Sequence, residues 1–93
     1  MRRIEPTNAF KRDYRKVNTS PKHRDLEILL PQVLNFLVTD TPLPERHRDH
    51  PLTGEWKDHR DCHIKPDLVL IYRKPDDEVL QLVRLGSHSE LGL

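Results

Sequence analysis

The sequence predicts an α+β fold in which N-terminal helices pack on a small antiparallel sheet. Three observations carry this. Apolar residues recur at helical spacing as far as about Thr39, and from Glu55 onward they form short β-type runs separated by turn signals. The chain is 93 residues long, which suffices for one core, so residues 1–93 form a single domain whose two halves share it.

Taken in order, Arg2 to Pro6 reads as a short edge strand that Pro6 ends. Thr7 or Asn8 can cap a helix over Ala9 to Val17. Phe10, Tyr14 and Val17 share one face of it, leaving Lys11, Arg12, Arg15 and Lys16 outward. Ser20-Pro21 restarts a helix, with Ser as cap and Pro at the first helical position. That helix runs to about Thr39 on a stripe of Leu26, Leu29, Leu30, Val33, Leu34, Leu37 and Val38, and Pro31 should kink it or divide it in two. Asp40 opens a linker of about fifteen residues reaching Gly54, a length that ordered loops reach when they carry function.

The remainder reads as a three-stranded meander over Glu55 to Ile64, Leu68 to Lys74 and Glu78 to Leu85. In the first of these strands, alternation places Trp56, Asp58, Arg60, Cys62 and Ile64 on one face. Lys57, His59, Asp61 and His63 fall on the other. Cys62 and Ile64 then belong to the core, Cys62 as a packed small hydrophobe, while His63 looks onto an accessible sheet face. Arg60 fits the core side badly, and a buried ion pair or a strand irregularity would account for it.

Net charge is +1, so any polyanion-binding surface must come from clustering. Arg2, Arg3, Lys11, Arg12, Arg15, Lys16, Lys22 and Arg24 form one basic group. Arg46, Arg48, Lys57, Arg60, Lys65 and Arg73 form another. A single cysteine excludes an internal disulfide and a CxxC redox or zinc motif. There is no apolar stretch long enough to span a membrane and no secretory leader, so the expected location is cytoplasmic, with no membrane partner.

Six histidines, four of them between positions 47 and 63, are the main anomaly. Imidazoles exchange protons near neutrality. A base and an acid flanking a phosphodiester would let a ribose 2′-OH attack phosphorus while the 5′-oxygen leaves, with Lys or Arg offsetting the equatorial charge. Residues that fit by type are His50, His63, Asp67 and His88. A zinc site using these histidines with Asp49, Asp61 and Cys62 lacks any tight ligand pair. Ser87 beside His88 is adjacency without triad geometry. Scattered surface histidines on a phosphate-binding module without catalysis stay open as a reading of the residues alone.

The run from Leu43 to Arg73 closely resembles toxins of the YafQ branch of the RelE/ParE superfamily. Its Asp-His-Pro-Leu element at 49–52 and Arg-Asp-x-His-x-x-x-Asp element at 60–67 are joined by the Gly-Ser-His ending at 86–88. The resemblance implies a microbial-ribonuclease-like fold and ribosome-dependent, metal-independent cleavage of mRNA, with no cofactor. It implies a cognate antitoxin with a ribbon-helix-helix DNA-binding part, the ribosome and mRNA as further partners, and contact with operator DNA only through the antitoxin complex. An acidic or amphipathic antitoxin segment would suit the basic faces at 11–24 and 57–73. The resemblance carries catalytic roles onto His50, His63, Asp67 and His88. His88 is expected as general acid, Asp67 or His50 as base, and His63 as the group that polarises the phosphate or fixes its neighbours. Arg84 matches a family arginine expected near the scissile phosphate, with Lys57 and Arg60 as auxiliary contacts. The chain departs from the family at Leu68, where Trp is common, and at Gly92, where Phe is usual. The rival functions are a ParE-like gyrase binder, which would lack the acid/base set, and a degenerate toxin kept for antitoxin binding.

Overall fold

The computed structural model describes residues 1–93. β1 (Arg3–Pro6) leads into α1 (Asn8–Asn18), whose first turn is closed by Thr7, its Oγ1 accepting the Phe10 N–H at 3.0 Å. Phe10 and Val17 are buried, and Arg15 and Lys16 occupy the last turn, where cations complement the helix dipole.

Ser20-Pro21 does not start the second long helix. Residues Pro21–His23 form one 3₁₀ turn, Ser20 makes no capping bond, and α2 spans Leu26–Val38. The Lys65 ammonium donates to the Lys22 carbonyl at 3.0 Å and to Asp25 Oδ1 at 3.1 Å, fixing this turn apart from α2. α2 is a single helix through Pro31, not two. Proline deletes the bond to the Glu27 carbonyl, but Glu27 and Pro31 both lie on the exposed side, where the loss costs least.

The sheet order is β1-β5-β4-β3-β2, with β2 (His50–Pro51), β3 (Arg60–Lys65), β4 (Leu68–Arg73) and β5 (Val79–Gly86). β3, β4 and β5 form the expected antiparallel meander, whereas β1 pairs with β5 in parallel, so the sheet is mixed. The first meander strand is shorter than its sequence run. Gly54–Trp56 make a 3₁₀ turn, Gly54 and Asp58 take positive φ of 67° and 68°, and regular pairing starts only at Arg60. Trp56 therefore escapes the alternation and lands on the face opposite Cys62 and Ile64.

The main core lies between the helices and one sheet face. Leu26, Leu30, Val33 and Leu37 of α2 meet Cys62, Leu70, Tyr72 and Leu80 there. The other face is not left open. Leu52, Trp56 and Leu91, the last from a one-turn α3 (His88–Leu91), cover Val69 and Ile71, which are fully buried. β4 is thus buried on both faces, matching its unbroken apolar run Leu68–Tyr72.

Candidate active site

Alternation along β3 decides which side chains meet. With Cys62 and Ile64 in the main core, Asp61 and His63 leave from the other face. β2 lies antiparallel beside them, His50 opposite Asp61. The third contributor comes across β4. Val69 is registered with His63 on one side and Gly86 on the other, so β5 ends in the same row and His88 follows. A Cβ at Gly86 would sit 3.3 Å from Glu90 Oε1 and 3.5 Å from Leu91, so α3 folds back closely over the strand end. Ser87 caps α3, its Oγ accepting the Glu90 N–H while Glu90 accepts the Ser87 N–H. That backbone bond, then Lys16 and the Ser87 hydroxyl, hold the Glu90 carboxyl down at about 2.

The His63 and His88 rings lie with centroids 4.9 Å apart. His50 Nδ1 is 2.7 Å from the Arg48 carbonyl and 3.0 Å from Asp61 Oδ1. A carbonyl only accepts, so Nδ1 carries hydrogen and Nε2 is the nitrogen left for other chemistry. The two contacts are unequal. Nδ1–H donates to Arg48, whereas Asp61 Oδ1 takes no aligned hydrogen bond and meets His50 as a close charge partner.

Asp61 is 1% exposed, and burial raises its carboxyl above the ordinary range, with His50, His63 and His88 opposing that rise. Burial first, and His88 second, lower the proton affinity of His63. The site therefore couples a carboxyl group buried beneath one imidazole to a pair of imidazoles that resist sharing two protons. A cavity of about 470 Å³ opens over it, with His50, Asp61 and His88 on its polar wall and Leu52, Trp56 and Leu93 on its apolar wall. A second cavity, of about 490 Å³, lies on the helical side between Phe10, Tyr14, Leu30 and Leu34 and holds no acid–base pair.

Three of the four residues expected to be catalytic, His50, His63 and His88, thus gather around Asp61. Asp67 sits in the β3–β4 turn with its carboxylate 2.6 Å from Lys22 Nζ, a contact that lowers its proton affinity. Of the expected phosphate ligands, Arg84 is held by Asp13 through Nε at 2.7 Å and Nη2 at 3.3 Å. Arg60 pairs with Asp49, which explains how an arginine is tolerated at that strand position. Lys57 is exposed. Leu68 packs in the main core and Gly92 takes φ 71° as the C-cap of α3. Burial raises the Cys62 thiol, in keeping with a packing role. His47 is buried and donates from Nδ1 to the His63 carbonyl at 2.6 Å.

Sequence reasoning weighed Asp61 only as a zinc ligand and left it out of the acid–base set, although alternation had put it on the His63 face. It also passed over Arg48, whose positive charge adds to the lowered proton affinity of His63. No three His, Cys, Asp or Glu side chains converge closely enough to hold a metal ion.

The sequence profile described as bacterial toxin of type II toxin-antitoxin system, YafQ, matches residues 2–92. The mRNA interferase toxin YafQ of Escherichia coli is 37% identical over 91 residues, covering 97% of this chain and 95% of that protein. Two solved structures are similar throughout. A metal-bound toxin from Helicobacter pylori has TM-score 0.86 at 46% identity, over 98% of this chain and 99% of that one. The YafQ chain of the E. coli DinJ–YafQ complex has TM-score 0.83 at 35% identity, over 98% of each chain.

Proposed function

The chain belongs to the YafQ family of bacterial type II toxins, within the RelE/ParE superfamily, and from that premise we propose that it is a ribosome-dependent mRNA endoribonuclease inhibited by a cognate antitoxin. The observation that carries the reading is the pairing of His50 with buried Asp61 beside the His63–His88 pair on one face. His50, its Nδ1–H turned inward, takes the ribose 2′-OH proton on Nε2. The 2′-oxygen attacks the adjacent phosphorus to give a 2′,3′-cyclic phosphate, and His88 gives its proton to the departing 5′-oxygen. His63, kept neutral by burial and by His88, donates a hydrogen bond to a non-bridging oxygen.

Asp67 is the weaker candidate for base, because Lys22 stabilises its charged form. Arg60 and Arg84 already hold carboxylate partners. Arg48 and Lys57, which take part in no ion pair, are the cations assigned to the RNA backbone. The E. coli relative in complex with DinJ supports an antitoxin partner for this chain. A ribbon-helix-helix part in that antitoxin would make operator DNA reachable through the complex.

Cleavage mapping on a defined mRNA in a purified translation system tests this. Ribosome-dependent cuts with the native chain that disappear with His88→Ala are the expected result. Cuts that persist in the variant would remove His88 from the mechanism. No cuts with either protein in an actively translating system would remove the nuclease reading and leave gyrase binding or a non-cleaving toxin.

A further inference from the structure

Between Leu43 and Leu52 the chain reads Pro-Glu-Arg-His-Arg-Asp-His-Pro, whose only hydrocarbon side chains are the two terminal prolines, neither of them buried. Hydrophobic burial therefore cannot seat this segment, yet it delivers His50 to the site. β2 is only two residues long, and the residue before Asp49 is Arg48 at φ 46°, a left-handed conformation that a non-glycine residue adopts only when its surroundings enforce it. Something polar must hold the segment down.

The strongest such anchor lies on the far side of the strand. Asp49 accepts from Arg60 Nε at 3.3 Å, from Arg60 Nη2 at 3.4 Å and from the Tyr72 hydroxyl at 2.5 Å. Arg60 and Tyr72 are cross-strand partners in β3 and β4, and Tyr72 is 2% exposed within the main core. Asp61, next along β3, faces the opposite side with the histidines. Adjacent residues of one segment thus take opposite sides, Asp49 tied to the core and His50 turned to the cavity.

We propose that Asp49 is a positioning residue that fixes the His50 imidazole against Asp61 from the opposite face of the sheet, through its bonds to Arg60 and Tyr72. It touches neither substrate nor the reacting atoms. The flanking pins, His47 to the His63 carbonyl at 2.6 Å and the Leu52 N–H to the His59 carbonyl at 2.9 Å, set the segment's ends. Asp49 sets its middle, immediately before the working side chain. Burial and the Asp49 carboxylate both keep the Tyr72 phenol protonated, so this donor stays in place across the working pH range.

The kinetic part of the test rests on the nuclease reading, and the spectroscopic part does not. Asp49→Asn keeps the shape but cannot accept from both donors with both side-chain atoms. Long-range ¹H–¹⁵N spectra of the histidine rings, recorded through a pH titration, should show a single Nδ1–H tautomer for neutral His50 in the native chain. In D49N that tautomer should become mixed while His63 and His88 titrate as before. In the translation system D49N should lower kcat by about tenfold or more, with KM for programmed ribosomes little changed, since a misplaced group costs turnover before binding. Tyr72→Phe, which removes one of the donors, should give the same pattern at smaller amplitude and serves in place of D49N if that variant does not fold. An unchanged His50 tautomer, or equal disturbance of all three rings, overturns the proposal. If the native chain cuts no mRNA, the nuclease reading fails alone and the His50 spectra still decide the role of Asp49.

Discussion

The two faces of the sheet are held by different physics. On the helical face, Leu26, Leu30, Val33 and Leu37 meet Leu70, Tyr72 and Leu80 in a core built by non-directional packing, where each side chain has many neighbours. On the cavity face only Val69, Ile71 and Leu91 are buried apolar groups, and the rest is fixed by single contacts: His50 on Arg48, His47 on the His63 carbonyl, Ser87 with Glu90. Stability should therefore reside mainly on the first face and chemistry on the second, with the Asp49 bonds to Arg60 and Tyr72 as the crossover between them.

The largest effect that sharpens this contrast is His88→Ala, expected to lower cleavage by about 10²- to 10⁴-fold, the range typical of a lost general acid, with the thermal midpoint nearly unchanged. Leu26→Ala should do the reverse. It empties a fully buried site at a cost of roughly 2–5 kcal/mol while the folded fraction cleaves at the native rate per molecule. If His88→Ala melts the protein, or Leu26→Ala slows the chemistry of folded molecules, the division between faces is wrong.

This division also explains what could be read in advance. Period 3.6 in residues 26–38 and period 2 in residues 60–64 are repeated signals, so the helix, the meander and the core assignment of Cys62 and Ile64 were all legible. The parallel pairing of β1 with β5 was not, because partner choice between distant strands leaves no local pattern. Nor was the placement of Trp56. It follows from positive φ at Gly54 and Asp58, and one backbone reversal cancels the alternation beyond it. As candidates, His50, His63 and His88 were legible by residue type. Asp61 needed its partner in β2, and that register depends on a two-residue strand that no periodicity announces.

Asp61→Asn should separate the faces by moving activity and stability in opposite directions. Burial raises the Asp61 carboxyl, so the folded state binds its proton more tightly than the unfolded state does. The associated stability is present at acid pH and lost as pH rises through the folded value, leaving a cost at neutrality. Removing the charge should raise the thermal midpoint at pH 7, with no gain below the usual carboxylate range, while cleavage falls on the order of a hundredfold. A lower midpoint at neutral pH would mean that the His50–Asp61 attraction outweighs the burial cost.

A smaller effect concerns His63, whose proton affinity burial and His88 lower. Here the unfolded state binds the proton more tightly, so native stability is complete above the ordinary histidine value of about 6.5 and declines as pH falls through it towards the lower folded value. Denaturant midpoints measured between pH 7 and pH 5 should fall for the native chain and fall less for His63→Gln. Equal slopes in the two proteins would place the acid sensitivity elsewhere.

The smallest effect expected is that of Ser87→Ala. It deletes the hydroxyl that caps α3 and should cost about 1 kcal/mol, the usual value of an N-cap. On the helical face a loss of that size would leave function untouched. Here the capped turn is the sole covalent bridge between β5 and His88, and α3 is only four residues long, so the same small loss loosens the His88 imidazole, the proposed general acid. Cleavage should therefore fall several-fold more than the lost stability implies, and Ser87→Thr, which restores a capping hydroxyl, should recover most of it. If Ser87→Ala cleaves at the native rate with the expected drop in midpoint, packing of Leu91 against Val69 and Ile71 is enough to place His88. The cavity face would then depend on apolar contact more than its single polar bonds suggest.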